Sequence, residues 1–114
     1  MEWAKELKMA ITVCDKDGNI VYMNDQSEKT FQKPGTPALL GSNLFGCHPE
    51  KAQSKIRELM ATGDNNTYTI EKNGKKKIIY QTPWIENGQI KGMVECSFEI
   101  HGELPHFIRE SSTK

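Results

Sequence analysis

The sequence encodes an α+β domain: a five-stranded antiparallel sheet with short helices and one long helix packed on one face. Three features predict it. Asn73-Gly74 and Asn87-Gly88 are tight-hairpin signals that link three β-rich stretches between residues 65 and 100. Asp15-Lys-Asp-Gly18 marks an earlier hairpin between two short alternating runs. Between these two β regions, Ala52, Ile56, Leu59 and Met60 recur at spacings of three and four, which makes one apolar stripe on a helix. Strands, helices and strands in that order place the helices on one side of an antiparallel sheet.

Each element has its own signal. Trp3, Ala4 and Leu7 form one side of a short leading helix over residues 1–9, which must dock on something because so short a helix is marginal alone. Residues 10–14 alternate as a strand, with Ile11 and Val13 on one face and Ala10, Thr12 and Cys14 on the other. Residues 19–23 return as its hairpin partner. Asn24 and Asp25 can each cap a helix, and Asp25-Gln-Ser-Glu28 has capping-box spacing, so a short helix runs to about Phe31. Lys33-Pro-Gly-Thr-Pro37 breaks it, since a proline pushes its predecessor out of helical angles. Leu39, Leu40, Leu44 and Phe45 are too apolar for a free loop and predict single-turn helices against the core. Pro49 suits a first helical turn, Glu50 complements the positive helix end, and Gly63 supplies a left-handed stop.

Three strands follow. Residues 65–71 set Tyr68 and Ile70 against Thr67, Thr69 and Glu71. Residues 75–85 set Ile78, Tyr80, Thr82 and Trp84 against Ile79 and Gln81, and Pro83 predicts a bulge or an edge. In the last strand Ile90, Gly92, Val94, Cys96, Phe98 and Ile100 alternate with Lys91, Met93, Glu95, Ser97 and Glu99, and the first set is expected to face the core. Residues 10–101 therefore form the domain body, and residues 102–114 a tail that ends in small polar side chains.

At 114 residues there is room for one domain and one modest core. Fifteen basic and fifteen acidic side chains cancel, so no overall field favours nucleic acid or an anionic membrane. No apolar run approaches the ~20 residues of a membrane span. The first residues lack a signal-peptide pattern, so a cytoplasmic location is expected. Cys14, Cys47 and Cys96 are odd in number and widely spaced, which encodes neither a disulfide framework nor a zinc ribbon and predicts reduced thiols.

The run Asp15-Lys-Asp-Gly-Asn-Ile-Val-Tyr-Met-Asn24, followed by a helical middle and a three-strand meander, closely resembles a PAS domain over residues 10–100. Gly41-Ser-Asn-Leu-Phe-Gly-Cys-His-Pro-Glu50 resembles the segment of a bacterial and archaeal PAS subgroup, found with hemerythrin-like domains, that carries Cys-His-Pro at the start of the long helix. The resemblance implies a cavity between the sheet and the helices. It also implies a sensory module rather than an enzyme: a small ligand or cofactor is held, and the signal leaves by homodimerisation or a partner signalling protein. No kinase, cyclase or DNA-binding segment is found in the chain, so a standalone module is expected. A ligand-free interaction module with a filled core is the alternative.

Candidate ligand-binding positions on this reading are Asn43, Leu44, Cys47, His48, Ala52, Ile56, Tyr68, Tyr80, Val94 and Cys96. Gln81 and Trp84 could add polar contacts, although aromatic side chains in a sheet also pack with only a polar tip at the rim. His48 sits at the positive end of the long helix, which favours neutral, metal-binding imidazole and makes a haem-based gas or redox sensor a second reading. Haem-holding relatives place their histidine further along that helix. The plainer reading of His48 is a hydrogen bond to backbone at the cap. Cys47 lies at the same helix start, where a thiol can become redox-responsive; its plainer reading is a small buried hydrophobe. Light-sensing relatives read Gly-x-Asn-Cys where this chain reads Gly41-Ser-Asn-Leu44, so the adduct-forming cysteine is absent and flavin adduct chemistry is not expected. No nucleophile stands beside a base and no inner face carries paired carboxylates, so no catalytic residue is assigned.

Overall fold

A computed structural model describes residues 1–47 and 49–111. Five strands, β1 (Ala10–Asp15), β2 (Ile20–Met23), β3 (Asn66–Lys72), β4 (Lys75–Glu86) and β5 (Gln89–Ile100), form one sheet in the order β2-β1-β5-β4-β3. Every neighbouring pair is antiparallel. Helices α1 (Asp25–Phe31), α2 (Leu44–Cys47) and α3 (Glu50–Thr62) lie between β2 and β3 in the chain. This is the predicted α+β layout.

The β1–β2 turn is built by Asp15, whose Oδ1 accepts from the backbone N–H groups of Asp17 and Asn19 at 3.0 and 2.9 Å. Those bonds, the one from Asn19 foremost, hold the Asp15 carboxyl below its ordinary pKa. Gly18 closes the turn at φ 86°, and a Cβ there would stand 2.6 Å from the Phe45 ring. The glycine is thus required twice, for its backbone angle and for the close approach of Phe45. Segment 41–45 is stitched beside this hairpin: Ile20 N–H donates to Ser42 O, Gly41 N–H to Ile20 O, and Leu44 N–H to Gly18 O, at 2.7 to 2.8 Å. Asn43 adds a side-chain bond from Nδ2 to Asp17 O at 2.9 Å. The loop that roofs the core is therefore anchored to β2 by backbone pairing, which its leucines alone could not specify.

Of the two possible caps for α1, the structure uses Asn24. It is 1% exposed. Its Oδ1 accepts from Ser27 N–H and from Ile11 N–H, both at 2.9 Å, and its Nδ2 donates to Ala4 O and Met9 O at 2.9 and 2.8 Å. One amide thereby ties the leading segment, β1 and α1 together. The leading segment itself is not the expected helix: residues 3–6 form turns, closed by bonds such as Leu7 N–H to Ala4 O at 3.3 Å. Nine residues are too few to repay helix nucleation, and Asn24 captures two of their carbonyls instead.

The long helix meets its predicted limits, with Pro49 at its start and Gly63 at φ 80° donating N–H to Leu59 O as its stop. Ile56 and Leu59 are its buried residues, and with Cys14 and Met93 they form the central apolar cluster. Pro83 pairs with Met93 of β5, while β3 ends opposite Gln81. On its other side β4 is therefore an edge at Pro83, where a missing N–H breaks no ladder bond.

The face of β5 that meets the helices is the opposite of the one expected. Residues paired across strands share a face, so Cys14, Met93 and Pro83 line up, as do Thr12, Glu95 and Gln81. Met93 and Ser97 are each 3% exposed, whereas Phe98 is 42% exposed. The set Gly92, Val94, Cys96, Phe98 and Ile100 thus lies on the outer side of the sheet, while Ile90, beyond the register shift at Trp84/Ile85, keeps its expected side and reaches towards Gly63 at the end of α3. Both faces of β5 carry apolar side chains, so alternation defines two faces without saying which one is covered. At Gly92 a Cβ would meet the Cys14 carbonyl oxygen at 1.9 Å, so this glycine allows β1 and β5 to close up.

Candidate functional site

The space between the inner sheet face and the helices divides into compartments that meet at Glu95. One is apolar, about 150 Å³, and walled chiefly by Ile20, Met23, Phe31, Leu39 and Leu44, with Thr12 and Glu95 at its floor. A void of about 30 Å³, the size of a single water, lies between Leu44, Ile56, Met93 and Glu95. A wider cleft of about 430 Å³ runs from Glu95 and Gln81 past Asn66 and Tyr68 to Ala52 and Lys55 on α3. Two larger grooves, about 600 and 720 Å³, open on the surface away from this space; they are lined mainly by polar residues such as Lys8, Gln26 and Glu99 or Asp15, Lys16 and Lys91. Small-molecule sites are concave and mostly apolar with a few placed polar groups, which describes the compartments around Glu95 and not the grooves.

The polar groups of the floor form a ladder across three strands. Glu95, Gln81 and Asn66 stand directly opposite one another on β5, β4 and β3. Gln81 Nε2 donates to Glu95 Oε1 at 3.0 Å, and Asn66 Nδ2 donates to Gln81 Oε1 at 3.1 Å. Each amide thus has its orientation set by the next, and the ladder ends on a carboxylate. Thr12, opposite Glu95 on β1, shares a hydrogen bond with the buried Ser27 of α1. Burial first, and then the negative charge of Glu95, push the Tyr68 phenol above its ordinary pKa. Burial likewise raises the thiols of Cys14 and Cys96.

The sequence-derived positions separate on this frame. Leu44, Ala52, Ile56 and Tyr68 line the compartments. Asn43 does not: its side chain donates to Asp17 O and Asn19 Oδ1 and accepts from Phe45 N–H, in the outer loop. Tyr80, Val94 and Cys96 lie on the outer sheet face with Ile78 and Phe98, which corrects their expected inward position. Cys14 and Cys96 occupy neighbouring strands but opposite faces. Among the described residues no group of three His, Cys, Asp or Glu side chains is placed to hold a metal ion. His48, with the haem expectation attached to it, and the side chain of Cys47 lie outside the described residues. Glu95, Thr12, Met93 and Asn66 also line the compartments, and the sequence pattern does not single them out. Their only signal was that Met93 and Ser97 punctuate the supposedly wet series of β5.

A family model described as the PAS fold matches residues 5–95. A search of curated proteins gave no significant match. Among solved structures, a C-terminal domain from Streptococcus mutans superimposes with TM-score 0.66 at 26% identity, covering 83% of this chain and 78% of that one. A sensory box sensor histidine kinase from Vibrio cholerae gives TM-score 0.65 at 19% identity, with 88% of each chain covered. VqmA bound to DPO gives TM-score 0.67 at 19% identity over 84% of this chain. The present chain spans 54% of that VqmA chain. Among the described residues no helix is long and apolar enough to cross a membrane.

Proposed function

The chain belongs to the PAS family, and from that premise we propose that it is a sensory and regulatory module. It takes a small molecule into the compartments around Glu95 and passes the event on by pairing with a second copy or a partner signalling protein. The observation that carries this reading is the hollow itself, apolar on its helix side and floored by the Glu95–Gln81–Asn66 ladder. Fold alone does not fix function, so the site and not the family bears the argument. A similar fold solved with DPO bound, and another described as a VqmA dimer, support ligand occupancy and pairing as uses of this architecture. The outer sheet face, with Tyr80 and Phe98 about 40% exposed, is the surface we assign to pairing.

The same reading takes residues 10–101 as the sensing body, residues 102–114 as a tail, a cytoplasmic location and a non-catalytic role. Cys47-His48-Pro49 supports placement in the bacterial or archaeal subgroup found with hemerythrin-like domains. The haem alternative rests on His48 alone; an absorbance scan with added haemin, compared with His48→Ala, decides it.

The main test is an NMR titration of the isotope-labelled full chain with a set of small aromatic fragments. Binding is expected to move the signals of Thr12, Leu44, Ile56 and Met93, and Leu44→Trp, which fills the apolar compartment, should abolish those shifts. Fragments that move only outer-face signals, or that bind the Leu44→Trp chain equally well, would leave the ligand-free interaction module as the better account.

A further inference from the structure

Glu95 is a half-buried carboxylate at the point where the compartments meet, and one side-chain donor of the protein reaches it. A carboxylate can accept about four hydrogen bonds. Glu95 Oε1 has one from Gln81 at 3.0 Å. Among the described residues no lysine, arginine or histidine nitrogen forms a salt bridge with it. Among the described residues the cationic side chains that line the space are Lys51 and Lys55 of the wide cleft, and Lys55 is engaged with Glu58 at 3.0 Å. The ladder works in the same direction. Asn66 holds the Gln81 oxygen, so the Gln81 amide nitrogen is turned to Glu95, and the ladder offers the carboxyl a donor and not an acceptor. A cation that enters beside Leu44, Ile56 and Met93 meets this carboxylate in a space partly shielded from water, where a charge pair is stronger than in bulk solvent.

Resting on the reading of this hollow as a ligand site, we propose that it selects a small organic cation: an amidinium, protonated amine or protonated nitrogen heterocycle whose positive head pairs with Glu95 while a compact apolar body fills the compartment under Leu39 and Leu44. The apolar compartment, about 150 Å³, has room for one substituted ring and little more. Anions of the same shape are disfavoured by the same carboxylate. Thr12, which faces Glu95 across the strands, can add one hydroxyl contact to the head group.

Three probes built on one phenyl ring test this on the full chain: the isosteric pair benzamidine and benzoate, and the smaller neutral toluene, each titrated against the labelled protein with the signals of Thr12, Leu44 and Met93 as readout. Benzamidine is expected to bind about tenfold to a hundredfold more tightly than benzoate, the range of one charge-assisted contact, with toluene between them. Glu95→Gln keeps the side-chain shape and should remove most of that preference while toluene binding persists. Equal binding of all three probes overturns the cation preference but leaves a ligand site, and would mean that Lys51 or Lys55 reaches Glu95 in solution. A preference for benzamidine that survives Glu95→Gln overturns the assignment to this carboxylate. If none of the three moves the cavity signals, the proposed ligand site falls as well. The comparison of probes on the unaltered chain stands even if the variant fails to fold.

Discussion

Replacing Asn24 by alanine removes four hydrogen bonds from one buried position, and the consequence can be worked out group by group. Ser27 N–H loses its cap, which costs about 1 kcal/mol in typical helices. Ile11 N–H, buried at the start of β1, is left without its side-chain acceptor, a penalty of about 1–3 kcal/mol. The carbonyls of Ala4 and Met9 lose a donor, but the leading segment is largely exposed and water can replace it there, so their share is small. The total is about 3 kcal/mol, a large part of the roughly 5–15 kcal/mol that holds an ordinary domain together. With a urea slope of about 2 kcal/mol per molar, the unfolding midpoint should fall by about 1.5 M. Asn24→Ser can still cap α1 but cannot span to Ile11 and both carbonyls, so it should recover about 1 kcal/mol of the loss. Urea unfolding followed by circular dichroism reads both variants. A loss below about 1 kcal/mol for Asn24→Ala would refute the view that this amide is the joint between the leading segment, β1 and α1.

Further outcomes can be checked with the same equipment. Gly92→Ala should cost about 3 kcal/mol, the upper end of overpacking penalties, because the new methyl meets backbone and not a movable side chain; a midpoint within 0.3 M of the parent, by order of magnitude, would contradict that. Burial raises the Cys14 thiol above its ordinary 9.0, so the folded state keeps a proton that the unfolded chain releases. That contribution is fully present below the ordinary thiol pKa and is lost as pH rises through the raised value, so stability should decline above about pH 9. Cys96 and Tyr68 are raised in the same direction, and Cys14→Ala should flatten part of the alkaline decline without abolishing it. An unchanged alkaline slope in Cys14→Ala would remove Cys14 from the account.

Local rules carried a large part of this architecture. A proline at the start and a glycine at the stop bounded α3 within a residue or two, because those backbones have few alternatives. Asn73-Gly74 and Asn87-Gly88, with Asn73 and Asn87 at positive φ, fixed the two hairpins for the same reason. Other features depended on partners distant in the chain. Asn24 and Asp25 were equal candidates for the cap until the N–H of Ile11 and the carbonyls of Ala4 and Met9 chose Asn24. The leading segment matched a helix in pattern but was too short to nucleate one.

The inward face of β5 marks the boundary between the two kinds of information. An alternating strand presents two faces by geometry alone, and here each bears enough apolar surface to serve as core. Only pairing with Cys14 and Thr12 on one side and with Pro83 and Gln81 on the other, beneath α3, turned Met93 and Glu95 inward and sent Val94 and Cys96 outward. Strand number, helix limits and turn positions are short-range properties and could be read from neighbouring residues. A carboxylate at the centre of a hollow is the product of strands brought together from both ends of the chain, and no local pattern encodes that meeting.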